Sequence, residues 1–224
     1  MLSIGVLMKR PLEFEACIKS LRGIKVSHEI MVADASKEGL DPIEGVKIIR
    51  EDPPIGTPRA LNNMASLSKG KYFFPFSDDC EMRPGSLDRG IALMEERWLD
   101  MGLGFFDERG SGCSVIQDCA QFPIILKSFG DQIGWWDTRY RHYDIDADIF
   151  IKACLVSDRI DTLRGCCFLH HYSMDEVRES NQKALNDDYT IYLDKWKDQR
   201  EEIEARKQAL RLKMGSPDCE ILHD

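Results

Sequence analysis

Tyr72-Phe73-Phe74-Pro75-Phe76-Ser77-Asp78-Asp79 decides how this chain folds. Five apolar or aromatic residues make a run of strand length, suited to burial on both faces, and the run stops at two adjacent carboxylates. Open α/β sheets bind their ligands at the carboxyl ends of strands, so Asp78 and Asp79 stand where a ligand site is expected. Neighbouring carboxylates repel each other, and a divalent cation or a donor-rich ligand offsets that repulsion. The plain alternative is a solvated strand-to-turn junction, because Asp is common in turns.

Working outward from this strand, Ser3-Ile4-Gly5-Val6-Leu7 reads as a short buried strand, and Pro11 opens a helix with Phe14, Cys17, Ile18 and Leu21 at helical spacing before Gly23. His28 to Ala33 is a second strand, ending at Asp34, and Val46-Lys47-Ile48-Ile49 a third. Pro53-Pro54-Ile55-Gly56 is a loop, with Thr57 as N-cap, Pro58 at the first helical position and Gly70 as the stop of a helix that carries Arg59 and Asn62. Beyond the acidic pair, Pro84 opens a helix reaching about Trp98, with Leu87, Ile91, Met94 and Trp98 on one face. Strand and helix alternate, which predicts right-handed βαβ units and an α/β fold with a mainly parallel central sheet flanked by helices.

After Gly102 the pattern weakens. Gly110-Ser111-Gly112 reads as a loop able to cover a substrate, and a helix is expected from Pro123 to Ser128, ending at Gly130. Trp135-Trp136-Asp137-Thr138-Arg139-Tyr140-Arg141-His142-Tyr143 is dense in aromatic and hydrogen-bonding groups and suits a recognition surface. Trp135 and Trp136 either offer flat faces to a ligand ring or fill the core. The segment leads into Asp144-Ile145-Asp146-Ala147-Asp148. From about Asp175 the composition turns polar and charged, and Tyr189, Trp196, Ile203 and Leu210 fall seven apart, with Tyr192, Leu193 and Met214 nearby. Two parts follow: a domain over 1–175 and a charged helical C-terminal extension over 176–224. The extension either docks on the domain through that stripe or joins copies of the chain in a homo-oligomer.

The 224 residues carry a formal net charge of −9, which disfavours general nucleic-acid binding, since phosphate contacts need clustered Lys and Arg. No stretch approaches the roughly 20 apolar residues of a transmembrane helix, and the N-terminus lacks a signal-peptide pattern, so a cytoplasmic location is expected. None of the eight cysteines forms a CxxC pair, which favours reduced, partly buried thiols over a zinc ribbon or a thioredoxin-like site.

The order of these pieces resembles the inverting, family-two type of glycosyltransferase with a GT-A fold, the nucleotide-diphospho-sugar transferase type, over roughly residues 1 to 175. In that resemblance Asp34 of Val32-Ala33-Asp34-Ala35-Ser36 takes the place of the acid that contacts the nucleobase. Gly56-Thr57-Pro58-Arg59-Ala60-Leu61-Asn62 is similar to the Gly-x-x-x-Ala-x-Asn element, and Ser77-Asp78-Asp79 to the metal-and-ribose motif of DXD type. Asp146-Ala147-Asp148-Ile149-Phe150-Ile151-Lys152 resembles the helix start centred on the catalytic acid, and His170-His171 the late metal-binding His. Met8-Lys9-Arg10 replaces the usual polar residue after the first strand, and Lys152 the usual Arg. The Gln-x-x-Arg-Trp signature and membrane helices of processive enzymes are absent, which favours transfer of one sugar.

The resemblance implies a nucleotide-diphosphate sugar donor and an unknown hydroxyl acceptor. Mn²⁺ or Mg²⁺ would neutralise the departing diphosphate, held by Asp79 with His170 or His171. Asp78 would accept from the ribose or touch the metal through water, Arg59 would fork onto phosphate, and Asp146 would act as general base, with Asp144 in reach of substrate. Asp144 and Asp148 also suit the positive N-terminus of a helix. Two other functions fit the architecture: a sugar nucleotidyltransferase, which usually has a glycine-rich loop that Leu7-Met8-Lys9-Arg10-Pro11 lacks, and a nucleotide-sugar binding module without turnover.

Overall fold

Four parallel strands form one half of the sheet. In this computed structural model, which describes residues 1–108, 113–115, 119–171, 175–215 and 218–219, they are β1 (Leu2–Met8), β2 (His28–Asp34), β3 (Val46–Arg50) and β4 (Tyr72–Ser77). They lie side by side in the order β4-β1-β2-β3. Side chains alternate across a strand, so this half feeds two cores. Ile4, Val6, Phe74 and Phe76 pack with α1 (Pro11–Leu21) and α3 (Ser86–Glu96), whereas Met31, Ala33 and Phe73 face α2 (Thr57–Leu67) and α5 (Ile145–Val156). Trp98, expected on the buried face of α3, lies beyond its end at φ +54° and is exposed.

The second half makes the sheet mixed. β6 (Met101–Glu108) runs parallel to β9 (Ile160–His170) and antiparallel to β8 (Pro123–Leu126), which in turn pairs antiparallel with β4. The helix expected from Pro123 is therefore a strand, with α4 (Lys127–Ile133) following it. Proline is tolerated at the first residue of a strand, where its missing N–H disturbs the ladder least. The three-residue β5 (Cys80–Met82) pairs antiparallel with β9 and sets Cys80 opposite His170. Short strands β7 (Cys113–Ser114) and β10 (Asp218–Cys219) extend the edge. The expected loop at Gly110-Ser111-Gly112 lies outside the described residues.

The C-terminal helices α6 (Glu176–Gln182), α7 (Leu185–Trp196) and α8 (Arg200–Met214) are built into the domain. Trp196 and Ile203 pack on Ile151, and Leu210 and Met214 enter the core that holds Phe73 and Ile149. The apolar stripe that the sequence offered for self-association thus covers the domain itself, and only its first members, Tyr189 and Leu193, remain exposed. Cys17, Cys80, Cys154 and Cys166 are buried free thiols, whereas Cys167 is disulfide-bonded, against the expectation of reduced cysteines. Among the described residues no helix is long and apolar enough to cross a membrane.

Candidate active site

A cavity of about 440 Å³ opens at the carboxyl ends of β1, β2 and β4, the position the acidic strand end predicts. Leu7 and Met8 line it from β1, Lys9 and Arg10 from the turn into α1, Ala33 and Ala35 from the end of β2, and Glu51 from just past β3. Pro54, Ile55, Gly56, Thr57, Arg59 and Ala60 add the start of α2, Ser77 and Asp78 the end of β4, and Arg141 and His142 a further wall. Val177 and Asn181 of α6 complete it, so the C-terminal extension closes part of the cavity. Lys9, Arg10, Arg59 and Arg141 are the basic residues of the lining, and Asp78 and Glu51 the acidic ones.

Asp78 is buried and held from three directions. Its Oδ2 accepts from the backbone N–H of Lys9 and of Arg10, both at 2.6 Å, and its Oδ1 from Arg10 Nη1 at 2.9 Å. Burial nevertheless raises its pKa above the ordinary value, ahead of the lowering by Lys9 and Arg10. At Asp79 burial pulls upward too, but hydrogen bonds from His170 and Ser77 and the Arg10 charge outweigh it, and the pKa falls well below the usual carboxylate range.

The antiparallel β5–β9 pairing is what brings His170 to Asp79. His170 Nε2 lies 3.8 Å from Asp79 Oδ2, and Asp79, Cys80 and His170 hold one donor atom each within 4.8 Å of one another. A carboxylate and an imidazole suit a divalent ion of the Mn²⁺ kind. The Cys80 thiol does not, because burial pushes its pKa well up and the thiolate is the ligand form. His171 lies outside this cluster: its Nε2 meets Glu81 Oε1 at 2.6 Å at the exposed surface, and its backbone N–H donates to the Asp79 carbonyl.

Two guanidinium groups reach the same carboxylates. Arg10 Nη1 is 3.4 Å from Asp79 Oδ2, and its other nitrogens meet Asp175, the N-cap of α6, at 2.5 and 3.3 Å. Arg178, one turn into α6, places Nη2 3.1 Å from Asp79 Oδ2 and 3.2 Å from His170 Nε2. Arg178 therefore engages both atoms that a metal would use.

Asp34 ends β2 as expected, and its carboxylate binds its own loop and Arg50. Oδ1 accepts from Ser36 N–H and Oγ at 3.0 and 2.6 Å and pairs with Arg50 at 3.2 Å, while Oδ2 accepts from Leu40 N–H at 2.8 Å. Asp34 does not line the cavity.

The loop before α2 is fastened to the aromatic segment. Gly56 adopts φ +90°, a backbone conformation L side chains rarely take, and a Cβ there would come within 3.4 Å of the Arg141 carbonyl. Gly56 is the N-cap and Thr57 the first helical residue, which shifts the expected cap by one. The Thr57 hydroxyl is free to meet His142 Nδ1 at 3.0 Å. Burial and the nearby Lys9 lower the His142 pKa to about 4. Asn62 explains the last residue of its motif: its amide donates to the Trp136 carbonyl at 2.7 Å and accepts from the Trp136 N–H at 3.1 Å. Asp188 of α7 accepts from the N–H groups of Arg141, His142 and Tyr143, each at 2.8 Å, and so shapes the same wall.

The tryptophans divide. Trp136 is buried edge-on against Phe73 and presents no face to a ligand, which corrects its reading as a platform for a ligand ring. Trp135 is partly buried, stacked on Trp136 and anchored through Nε1 to Asp131 at 2.8 Å. Its indole lies over Gly130, where any Cβ would collide at 2.3 Å, and its carbonyl accepts from Lys152 Nζ.

Asp146 and Asp148 both fall in the first turn of α5. Asp148 is fully buried, its Oδ1 taken by Trp196 Nε1 at 3.0 Å, Tyr140 Oη at 3.1 Å and Lys195 Nζ at 2.6 Å, so it anchors the C-terminal helices. Asp144, the N-cap at φ +58°, has a buried Oδ2 without a hydrogen-bond partner, and burial raises its pKa. Asp146 is only partly open to solvent, and burial, aided by the charge of Asp144, raises its pKa to about 7. Neither Asp146 nor Asp79 lines the cavity itself; the loop carrying Arg141 and His142 into the cavity leads directly to Asp146. Sequence reasoning missed Glu51, His142, Arg178 and Asn181. Arg10 was visible only as a departure from the family pattern.

A family model described as glycosyl transferase family 2 matches residues 10–156. No curated protein matches the sequence. Among solved structures, residues 1–349 of S. aureus TarS in complex with UDP-GlcNAc share 13% identity at a TM-score of 0.66, over 80% of this chain and 60% of that one. The same TarS fragment in complex with UDP gives 14% identity and a TM-score of 0.63, over 77% and 60%. The chain thus spans about 60% of the length of these structures, and the likeness establishes the GT-A type of fold.

Proposed function

The chain belongs to glycosyl transferase family 2, and on that premise we propose that it moves a single sugar from a nucleoside-diphosphate sugar to an acceptor hydroxyl, with inversion at the anomeric carbon. One observation carries this reading: a cavity at the ends of β1, β2 and β4 lined by four basic residues together with Asp78. Clustered cations beside a strand-end acid suit a diphosphate attached to a ribose.

Lys9 and Arg59 bind the diphosphate and take up the negative charge that grows as the sugar leaves, while Arg10, paired with Asp78, Asp79 and Asp175, holds those acids in place. Asp78, fixed by the Lys9 and Arg10 amides, holds the ribose end in register. Asp79 and His170 would hold the divalent ion, Mn²⁺ before Mg²⁺ because an imidazole is among the ligands. When bound, that ion supplies further positive charge to the leaving diphosphate. Arg178 contacts both of those donor atoms, so it and the ion exclude each other there.

Asp146 removes the acceptor proton. A base works best when its pKa lies near the operating pH, and a carboxyl raised to about 7 meets that condition better than an ordinary one. Burial raises it chiefly, and the charge of Asp144 adds to the rise. Attack from the side opposite the departing diphosphate gives inversion.

The test is thermal denaturation with Mn²⁺ and uridine, guanosine or thymidine diphosphate. A ligand at 100 times its Kd adds about 2.7 kcal/mol of stability. A rise in Tm with at least one nucleotide is expected; no rise with any of them removes the donor pocket.

A further inference from the structure

Helix α6 is fastened to the domain by polar contacts, and its partners are residues of the donor and ion site. None of its seven residues is buried. Val177, its one apolar residue, lines the cavity and joins none of the apolar clusters, whereas Trp196 and Leu210 anchor α7 and α8 in theirs. An element that buries no apolar side chain has little besides such contacts to keep it docked. Asp175, its N-cap, meets Arg10 Nε and Nη2 at 2.5 and 3.3 Å. Arg178 Nη2 lies 3.1 Å from Asp79 Oδ2 and 3.2 Å from His170 Nε2. Asn181 Oδ1 accepts from Lys9 Nζ at 3.3 Å.

The last two of these anchors compete with ligands of the proposed reaction. A divalent ion on Asp79 and His170 takes both groups from Arg178 and repels its guanidinium. A diphosphate on Lys9 takes the ammonium from Asn181. The Arg10–Asp175 pair then remains as a pivot at the start of α6, and buried Ala184 holds the chain just beyond its end. A helix of seven residues freed from its docking site has little stability of its own. We infer that α6 is an autoinhibitory latch: docked across the donor and ion residues in the free protein, it is released when a divalent ion and a nucleoside diphosphate bind together. The inference rests on the donor-pocket reading above. Linkage makes the effect reciprocal, so the closed latch lowers the apparent affinity for both ligands, and weakening the latch raises it.

Hydrogen exchange on the full chain, read by mass spectrometry on the peptide that spans α6, tests this. The samples are the free protein and the protein with Mn²⁺ and uridine, guanosine or thymidine diphosphate, and Tm is recorded on each. Where a nucleotide raises Tm, the amides of Arg178 to Gln182 are expected to exchange about tenfold or more faster than in the free protein, while those of α8 stay protected. In Arg178→Ala the same amides are expected to exchange fast without ligand, and the Kd of that nucleotide to fall about tenfold. Unchanged or slower exchange of α6 in a sample whose Tm rises makes the helix a fixed wall or a closing lid, and overturns the latch while the donor pocket stands. An Arg178→Ala variant whose α6 is as protected as in the wild type overturns it too. A Tm that no nucleotide raises overturns the donor pocket, and the latch with it.

Discussion

Replacing Asp146 by Asn should abolish transfer and stabilise the fold, and the two effects have one cause. The Asp146 carboxyl is raised from an ordinary 3.8 to about 7 by burial and by Asp144. At about 1.4 kcal/mol per unit, the ionised group destabilises the folded state by at most about 4 kcal/mol. Partial exposure of the side chain reduces this to about 2 kcal/mol through solvent screening. The sign follows from which state binds the proton more tightly. Below pH 3.8 the carboxyl is protonated in both folded and unfolded chains and contributes nothing. Between 3.8 and 7 only the folded chain keeps the proton, so stability falls as pH rises, and above 7 the full penalty stands. Asn carries no charge to penalise. At pH 8 Asp146→Asn should therefore melt about 4–8 °C above the wild type, with the gap closing as pH falls toward 4. Transfer should drop by about 10²–10⁴-fold, the usual contribution of a general base. Scanning calorimetry across pH, paired with an assay of nucleotide release, measures both. A Tm gap that does not change with pH, or a variant that still turns over, refutes the assignment.

Asp144→Asn removes the charge that helps to raise Asp146, so the rising limb of the pH–rate profile should move to lower pH; a limb that stays in place denies the coupling. Arg178→Ala frees Asp79 and His170, so Mn²⁺ binding measured by calorimetry should tighten about tenfold or more, and equal or weaker binding would show that Arg178 and the ion do not compete. Leu210→Ala opens a cavity in the core that α8 shares with the sheet and should cost about 2–5 kcal/mol in chemical denaturation, whereas a loss below about 0.5 kcal/mol would mean that the C-terminal helices are only loosely attached.

The parallel half of the fold was legible because its strands are apolar on both faces and its helices are punctuated by proline and glycine. The acidic end of β4 placed the cavity for the same reason: topology puts strand ends at ligand sites. What stayed hidden depended on pairing between distant segments. β5 has three residues, too few for a periodic signal, yet its pairing with β9 is what sets His170 rather than His171 beside Asp79. Arg178 belongs to a short polar helix whose sequence says nothing of its contact ninety-nine residues away. Pro123 misled because proline opens strands as well as helices. The Ser36 and Leu40 amides that occupy Asp34 belong to its own loop, whose conformation carries no periodic pattern. Glu51, one residue past the end of β3, is an ordinary acid until the fold buries one of its oxygens without a partner.

The most direct test is to incubate the protein with Mn²⁺ and a panel of nucleoside-diphosphate sugars and to measure release of the nucleoside diphosphate, with Asp79→Ala as control. The expected result is release from at least one of these donors, lost in the control. Donors that bind the wild type but are never cleaved, with or without candidate acceptors, would contradict a transferase and identify a protein that only holds the nucleotide sugar.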